Sequence, residues 1–396
     1  MIAQTKNSKH VKCQIEFDDN TSGVYRPGDI VSGTITITLE KKKKFRGICL
    51  RINGFATSFW DAKVKTDAPQ GNKVRKTAFK GREDYFSTIN YFVGSDVGNP
   101  LEVMAGTYTY PFTCQIPTNA PASMESSYGH IRYQVTLSFE RPWKYDIVYQ
   151  QDIVVRGNSD LNQNAEALSK PTKAEAMTSF YFGLTEPLIV TATTPRSGYV
   201  PGDIIEVTIH VNNQSSVDVK FIAVKLQRVD TFISQVPRVE RRQEFSVMEE
   251  RITGRVSKRQ DAKIEENILI GPGIPTDDVH CRVIQIKYEL DIVVHPVRSR
   301  KKLSLKIPIV LGTTAMTNHD VLKNRVVAKQ QEALMRVAPS APVASEINDE
   351  NVEPPSYLDL QAALASISRS YSITSDETVA EASGSNRARS YAPREF

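Results

Sequence analysis

The chain has 396 residues, with 50 lysines and arginines against 45 aspartates and glutamates, and 40% of its residues are hydrophobic. A formal net charge of +5 is too mild to argue for a nucleic-acid ligand, and the sequence has neither an aromatic-basic stacking pattern nor a nucleic-acid motif. No stretch approaches the roughly 18 apolar residues of a membrane span, and Met1 to His10 lacks the apolar centre of a signal peptide, so a cytoplasmic protein is expected.

In chain order, Val11 to Phe17, Ile30 to Leu39, Phe45 to Phe59, Tyr108 to Ile116, Ile131 to Phe139 and Ile147 to Val155 read as strands. Ile30 to Leu39 alternates β-branched apolar with small polar residues, the period of a strand with one wet face. Asp61 to Tyr85 is basic and polar with Gly71 and Gly81, and reads as a long loop. Arg156 to Glu186 is rich in Asn, Ala, Ser and Lys and reads as a linker. Further strands are expected at Leu188 to Thr194, Ile204 to Val211, Val219 to Phe232, Ile264 to Ile270, Arg282 to Val293 and Leu303 to Leu311. Many short strands without helical periodicity predict an all-β chain of antiparallel sandwiches.

One segment occurs twice. Tyr25-Arg26-Pro27-Gly28-Asp29-Ile30 returns as Tyr199-Val200-Pro201-Gly202-Asp203-Ile204. At the same offset Thr34 and Ile35 meet Thr208 and Ile209, Arg46 meets Lys220, Ile48 meets Ile222, and Thr57 meets Thr231. Proline presets φ at the second position of a β-turn, glycine accepts positive φ at the third, and aspartate can bond back to its own backbone. The chain is therefore expected to hold two copies of one β domain, at 1–156 and 188–312, joined by a linker at 157–187 and followed by a tail at 313–396.

Leu101-Glu102-Val103-Met104-Ala105-Gly106, then Tyr108-Thr109-Tyr110-Pro111-Phe112, Ile116-Pro117 and Gly129-His130-Ile131-Arg132-Tyr133, resemble the conserved block of the arrestin N-domain. Ile274-Pro275-Thr276 and Ile286-Lys287-Tyr288 resemble its C-domain counterpart, and Asp160-Leu161-Asn162 resembles the linker of the α-arrestins, the arrestin domain-containing branch. The resemblance covers roughly residues 11 to 312. It implies two arrestin-like antiparallel sandwiches in tandem that serve as an adaptor rather than a catalyst. The branch's cysteine cluster after the linker is missing, since Phe180-Tyr181-Phe182-Gly183 stands there.

After Thr313 the composition turns to Ala, Ser, Glu and Asn, so apart from an amphipathic stretch from His319 to Val337 a largely disordered tail is expected. Within it stands Pro354-Pro355-Ser356-Tyr357, a PPxY motif. Two prolines preset the extended left-handed conformation that WW-domain grooves receive, and Tyr357 fills the neighbouring groove. In α-arrestins such motifs recruit HECT-type ubiquitin ligases that carry WW domains. The resemblance thus implies a partner ligase, membrane receptors or transporters as cargo, endocytosis and sorting as the outcome, and recruitment from cytoplasm to plasma membrane and endosomes. Family members often carry two PPxY motifs, whereas Arg369-Ser370-Tyr371 and Arg389-Ser390-Tyr391 supply no second one. The rival expectation is a coat or sorting scaffold of the retromer-subunit kind, which would have no use for PPxY.

Two basic runs stand between predicted strands. Lys41-Lys42-Lys43-Lys44, followed by Phe45 and Arg46, is expected as an exposed tip, either simply solvated or attracted to acidic lipid headgroups or phosphorylated cargo tails, as peripheral membrane contact requires. Arg298-Ser299-Arg300-Lys301-Lys302 carries the same two readings.

Enzyme readings find no support: GxSxG, GxxxxGK[ST] and HExxH motifs are all absent, and the six histidines are scattered. His280 and Cys281 are adjacent, but neighbouring strand residues point to opposite faces and form no dyad. Cys13, Cys49, Cys114 and Cys281 form no CxxC pair, so neither a disulfide framework nor a metal site nor a cofactor is expected. No buried polar core of paired charges is discernible.

Overall fold

The computed structural model describes residues 4–5, 10–18, 20, 22–66, 73–180, 186–297 and 302–317. The first sandwich sets a three-stranded sheet, Val11–Phe17, Ile30–Leu39 and Gly106–Gln115, against a larger one. The larger sheet runs Gln4–Thr5, Ile147–Val155, Gly129–Glu140, Gly47–Thr66 and Lys73–Gly94, with Met124–Ser126 and Val24–Tyr25 joined at its side. Alternation in sequence becomes alternation in burial: Val31, Ile35, Ile37 and Leu39 face the core while Ser32, Thr34, Thr36 and Thr38 do not. Each such side chain taken out of water contributes about 1.5–3 kcal/mol. The second sandwich pairs Thr172–Thr178, Leu188–Thr194, Ile204–Asn213 and Gln260–Leu269 in one sheet. Gly198–Tyr199, Leu303–Leu311, Ile284–Pro296, Val219–Ile233 and Arg241–Thr253 form the other. The all-β expectation of two antiparallel sandwiches in tandem holds.

The sequence repeat is also a repeat of hydrogen bonds. Gly28 and Gly202 adopt φ of 91° and 92°. Asp29 accepts from the Arg26 amide at 2.7 Å, and Asp203 from the Val200 amide at 3.0 Å. The Gly28 amide donates to Ile116 and the Gly202 amide to Ile270, while the carbonyls of Asp29 and Asp203 accept from those same two residues. Tyr25 then pairs in parallel beside Val155, and Tyr199 beside Leu311, whereas the longer strand pairs of both sandwiches are antiparallel. Farther on, Tyr133 donates to the Pro121 carbonyl at 2.7 Å and Tyr288 to that of Ile274 at 2.6 Å. A Cβ on Gly202 would meet nothing within 4 Å, so its cost is conformational alone. Gly202→Ala is expected to destabilise the chain by about 1–2 kcal/mol, with Gly28→Ala costing about the same, as read from chemical denaturation.

Two expectations need correction, and one strand was not foreseen. Most of Asp61 to Tyr85 is strand rather than loop: Gly47–Thr66 pairs antiparallel with Lys73–Gly94, and only residues 67–72 of the range lie outside the described residues. Its charges alternate with apolar residues, Trp60 stacks on Phe79 at 5.6 Å, and Lys76 pairs with Asp61 across the ladder at 2.9 Å. High charge here marks one wet face of a strand. The linker range 157–187 contains the strand Thr172–Thr178, which pairs along its length with Leu188–Thr194. Finally, Arg241–Thr253 forms an edge strand where none was expected, because an edge tolerates the arginines and glutamates that hide its period.

The hairpin carries the first sandwich onto the second. The Lys80 amide donates to Val236 at 2.8 Å and the Gln235 amide returns to Lys80 at 2.7 Å. Ser58 donates to the Ile233 carbonyl at 2.7 Å, and Arg282 bonds Glu83 through both its amide and its side chain. Tyr128 meets buried Phe232 edge-on, while Arg242 lies 3.9 Å over the Tyr128 ring. Between the sandwiches Asp160 caps the short 3-10 turn Leu161–Asn164, and Asn162 ties to the Ala315 carbonyl and the Thr317 amide. This binds the linker to the chain that follows the last strand. Among the described residues no helix is long and apolar enough to cross a membrane.

Candidate interaction site

Pro354, Pro355 and Tyr357 lie outside the described residues, as does the amphipathic stretch from His319 to Val337. The same holds for residues 298–301 of the second basic run, of which Lys302 is exposed.

The first basic run is a built feature rather than a bare tip. Lys43–Phe45 is a short strand paired with Leu101–Val103, and Phe45 is fully buried, 5.5 Å from the ring of Phe139. That apolar anchor holds the lysines outward. Lys41, Lys42, Lys44 and Arg46 are exposed and Lys43 is half-buried. Lys42 pairs with Glu102 at 3.1 Å, and Glu40 is engaged by His10 and Lys12. Partial burial lowers the proton affinity of Lys43, and Arg141 and then Lys144 lower it further against the opposing pull of Glu40. The run thus shares its field with the turn that follows Glu140.

Two buried ion pairs escaped the sequence reading. Arg196 meets Asp203 at 3.2 Å and lies over the Tyr199 ring at 4.4 Å. Arg228 meets the fully buried Asp230 at 2.8 Å, and burial raises the Asp230 pKa despite Arg228. The signal was present as Arg228-Val229-Asp230, since residues two apart share a strand face. The second pair borders the seam between sandwiches, because Glu244, opposite Asp230 in the ladder, accepts a hydrogen bond from Ser126.

His280 is exposed and engaged by Asp277 at 3.1 Å, whereas Cys281 is buried beneath it, so no dyad forms. Burial pushes the Cys281 thiol up to about 11 and the Cys13 thiol to about 12, leaving both protonated at neutral pH. Cys281 is expected to resist a thiol reagent at pH 8 until the chain is denatured, a contrast read by absorbance. All four cysteines are free, and among the described residues no cluster of three or more His, Cys, Asp or Glu could hold a metal.

Comparison with known proteins agrees with this architecture. Residues 13–162 match the N-terminal domain of arrestin (or S-antigen), and residues 185–316 match its C-terminal domain. The chain is 25% identical to Arrestin domain-containing protein 17 of Caenorhabditis elegans, over 74% of this chain and 69% of the relative. It is 23% identical to Arrestin domain-containing protein 4 of Mus musculus, over 87% and 80% of the two chains. With Arrestin domain-containing protein 1 of Homo sapiens the identity is 26%, over 83% and 70%. The chain therefore belongs to the arrestin family, in its arrestin domain-containing or α-arrestin branch.

Proposed function

We propose that this chain is a non-catalytic adaptor that brings a WW-domain ubiquitin ligase of the HECT type to membrane-protein cargo, promoting its ubiquitination, endocytosis and sorting. The observation that carries the reading is Pro354-Pro355-Ser356-Tyr357, placed after a tandem arrestin body rather than within it. A binding body and a ligase motif on one chain raise the local concentration of ligase at cargo, which needs no active site in the adaptor. The two hydrogen-bonded seams, between the sandwiches and beneath the linker, support a body that presents cargo surfaces in a fixed geometry. The adaptor works from the cytoplasmic face and is recruited to plasma membrane and endosomes.

The test is capture of the full-length chain by isolated WW domains from HECT-type ligases. Capture that depends on Tyr357 supports the reading. No capture transfers the chain to the coat or sorting-scaffold class, which needs the double sandwich but no ligase.

A further inference from the structure

Trp143 and Tyr145 are 102% and 94% exposed, in the turn Arg141-Pro142-Trp143-Lys144-Tyr145-Asp146. The turn is held closed. The Arg141 amide donates to Asp146 at 3.0 Å and its Nε donates to the Tyr145 carbonyl at 2.7 Å. Trp143 sits at φ 58°, a left-handed conformation that a bulky side chain adopts only at steric cost. Two large rings are therefore held outward with nothing among the described residues covering them.

Sheet register brings three connections to the same end of the first sandwich. Gly47 pairs with Gly94 on one side and with Glu140 on the other. The segment carrying the lysine run, Lys41 to Arg46, leads into Gly47, the segment carrying Val97 begins at Gly94, and the Trp143 turn begins after Glu140. Backbone bonds lock the junction: the Arg46 amide donates to Glu140 at 2.8 Å and the Ser95 amide to Arg46 at 3.2 Å. Val97 is 89% exposed, a third apolar group at that end. Acids are present as well: Glu102 is held by Lys42, Glu40 by His10 and Lys12, and Asp146 by the Arg141 amide, while Asp96 beside Val97 is exposed and in none of the described ion pairs, one carboxylate against the free lysines of this end. Lys41, Lys44 and Lys144 are exposed there and appear in none of the described ion pairs.

Rings that protrude amid basic residues are convex, so they do not fit a peptide, which needs a groove or a strand edge. The cavities lined by Ile15 and Gln151 and by Phe59 and Val236 lie elsewhere. Trp and Tyr are at home in the headgroup layer of a bilayer, and lysines beside them are attracted to an anionic leaflet. We infer that this end of the first sandwich docks on an anionic bilayer, with Trp143 and Tyr145 entering the headgroup region and Lys41, Lys43, Lys44 and Lys144 facing its phosphates. The inference supplies the membrane contact of the trafficking reading and stands whether or not a ligase binds.

The chain has two tryptophans, and Trp60 is buried against Phe79, so Trp60→Phe in the full-length protein leaves Trp143 as the reporter. The probe is a vesicle of phosphatidylcholine, with or without phosphatidylserine at about one lipid in three, near 0.1 M salt, where screening over about 10 Å leaves surface attraction measurable. Trp143 emission is expected to shift to the blue and to be quenched by brominated lipid with the anionic vesicles only. In sedimentation, Trp143→Ser/Tyr145→Ser and, separately, Lys41–Lys44→Gln should each lower partitioning at least about tenfold. Trp143, Tyr145, Lys41, Lys42 and Lys44 are exposed and Lys43 is half-buried, so unchanged melting of each variant controls for folding. The inference is overturned if Trp143 emission is unmoved by anionic vesicles, or if the Trp143→Ser/Tyr145→Ser variant partitions like its parent. It is also overturned if polyglutamate shifts the emission while vesicles do not, which would assign the end to an acidic peptide.

Discussion

Tyr357→Ala is expected to weaken binding of the full-length chain to an isolated WW domain by about thirtyfold or more, with the melting of both sandwiches unchanged. An aromatic anchor seated in a groove typically contributes about 2 kcal/mol or more, and each 1.4 kcal/mol is about a factor of ten in affinity. The two prolines preset the backbone, but they leave the second groove empty once the ring is gone. Calorimetric titration reads the change directly, and retained affinity in the variant would remove the motif from the mechanism. The absence of a second PPxY adds a sharper consequence. Tandem motifs gain about 10² or more through effective concentration, so a tandem WW fragment should bind this chain only a few-fold more tightly than its better single domain. A hundredfold gain would reveal a second ligase site outside Pro354 to Tyr357.

The second large effect lies in the repeated turn. Asp203→Ala is expected to cost about 3–5 kcal/mol, the usual penalty for leaving a buried charge without its partner. Asp203 is 4% exposed, bonds the Val200 amide at 3.0 Å and pairs with Arg196, whose own side chain is only 11% exposed. Burial lowers the Arg196 pKa even though Asp203 raises it, so desolvation is the larger influence at this site. Asp29 occupies the same place in the first copy and makes the same bond to the Arg26 amide, yet it is exposed and has no ion pair among those described. Asp29→Ala should therefore lose only a turn hydrogen bond, about 0.5–1.5 kcal/mol. The double variant Arg196→Met/Asp203→Ala should recover part of the larger loss, since it leaves no buried charge behind. Urea denaturation of the four proteins distinguishes these outcomes. Equal losses for Asp29→Ala and Asp203→Ala would mean that the turn bond, not the buried pair, carries the stability.

Those two aspartates show where legibility stops. Pro27-Gly28-Asp29 and Pro201-Gly202-Asp203 announce the same turn, because a β-turn depends on φ preferences and bonds within four residues. Likewise Ile30–Leu39 and Leu188–Thr194 read as half-buried strands from their period of two. Whether an aspartate is solvated or enclosed with an arginine depends on strands that arrive from elsewhere in the chain.

The same division explains the corrections. Asp61 to Tyr85 looks like a loop to a composition count and 241–253 shows no strand period, yet residues 61–66, 73–85 and 241–253 each find a partner strand, and cross-strand hydrogen bonds then outweigh the weak strand preference of lysine and glutamate. Thr172–Thr178 becomes a strand because Leu188–Thr194 lies open beside it. Trp143 and Tyr145 fall between two predicted strands without any sign of their surroundings, and only their place after Gly129–Glu140 puts them in water at the end that carries the lysines. Local residue order was enough for the doubled turn and the period of the strands, both set by torsion preferences over a few residues. Pairing, burial and the gathering of charge and aromatic surface at one end came from tertiary structure, because they depend on contacts between residues up to some two hundred positions apart, such as Glu83 and Arg282.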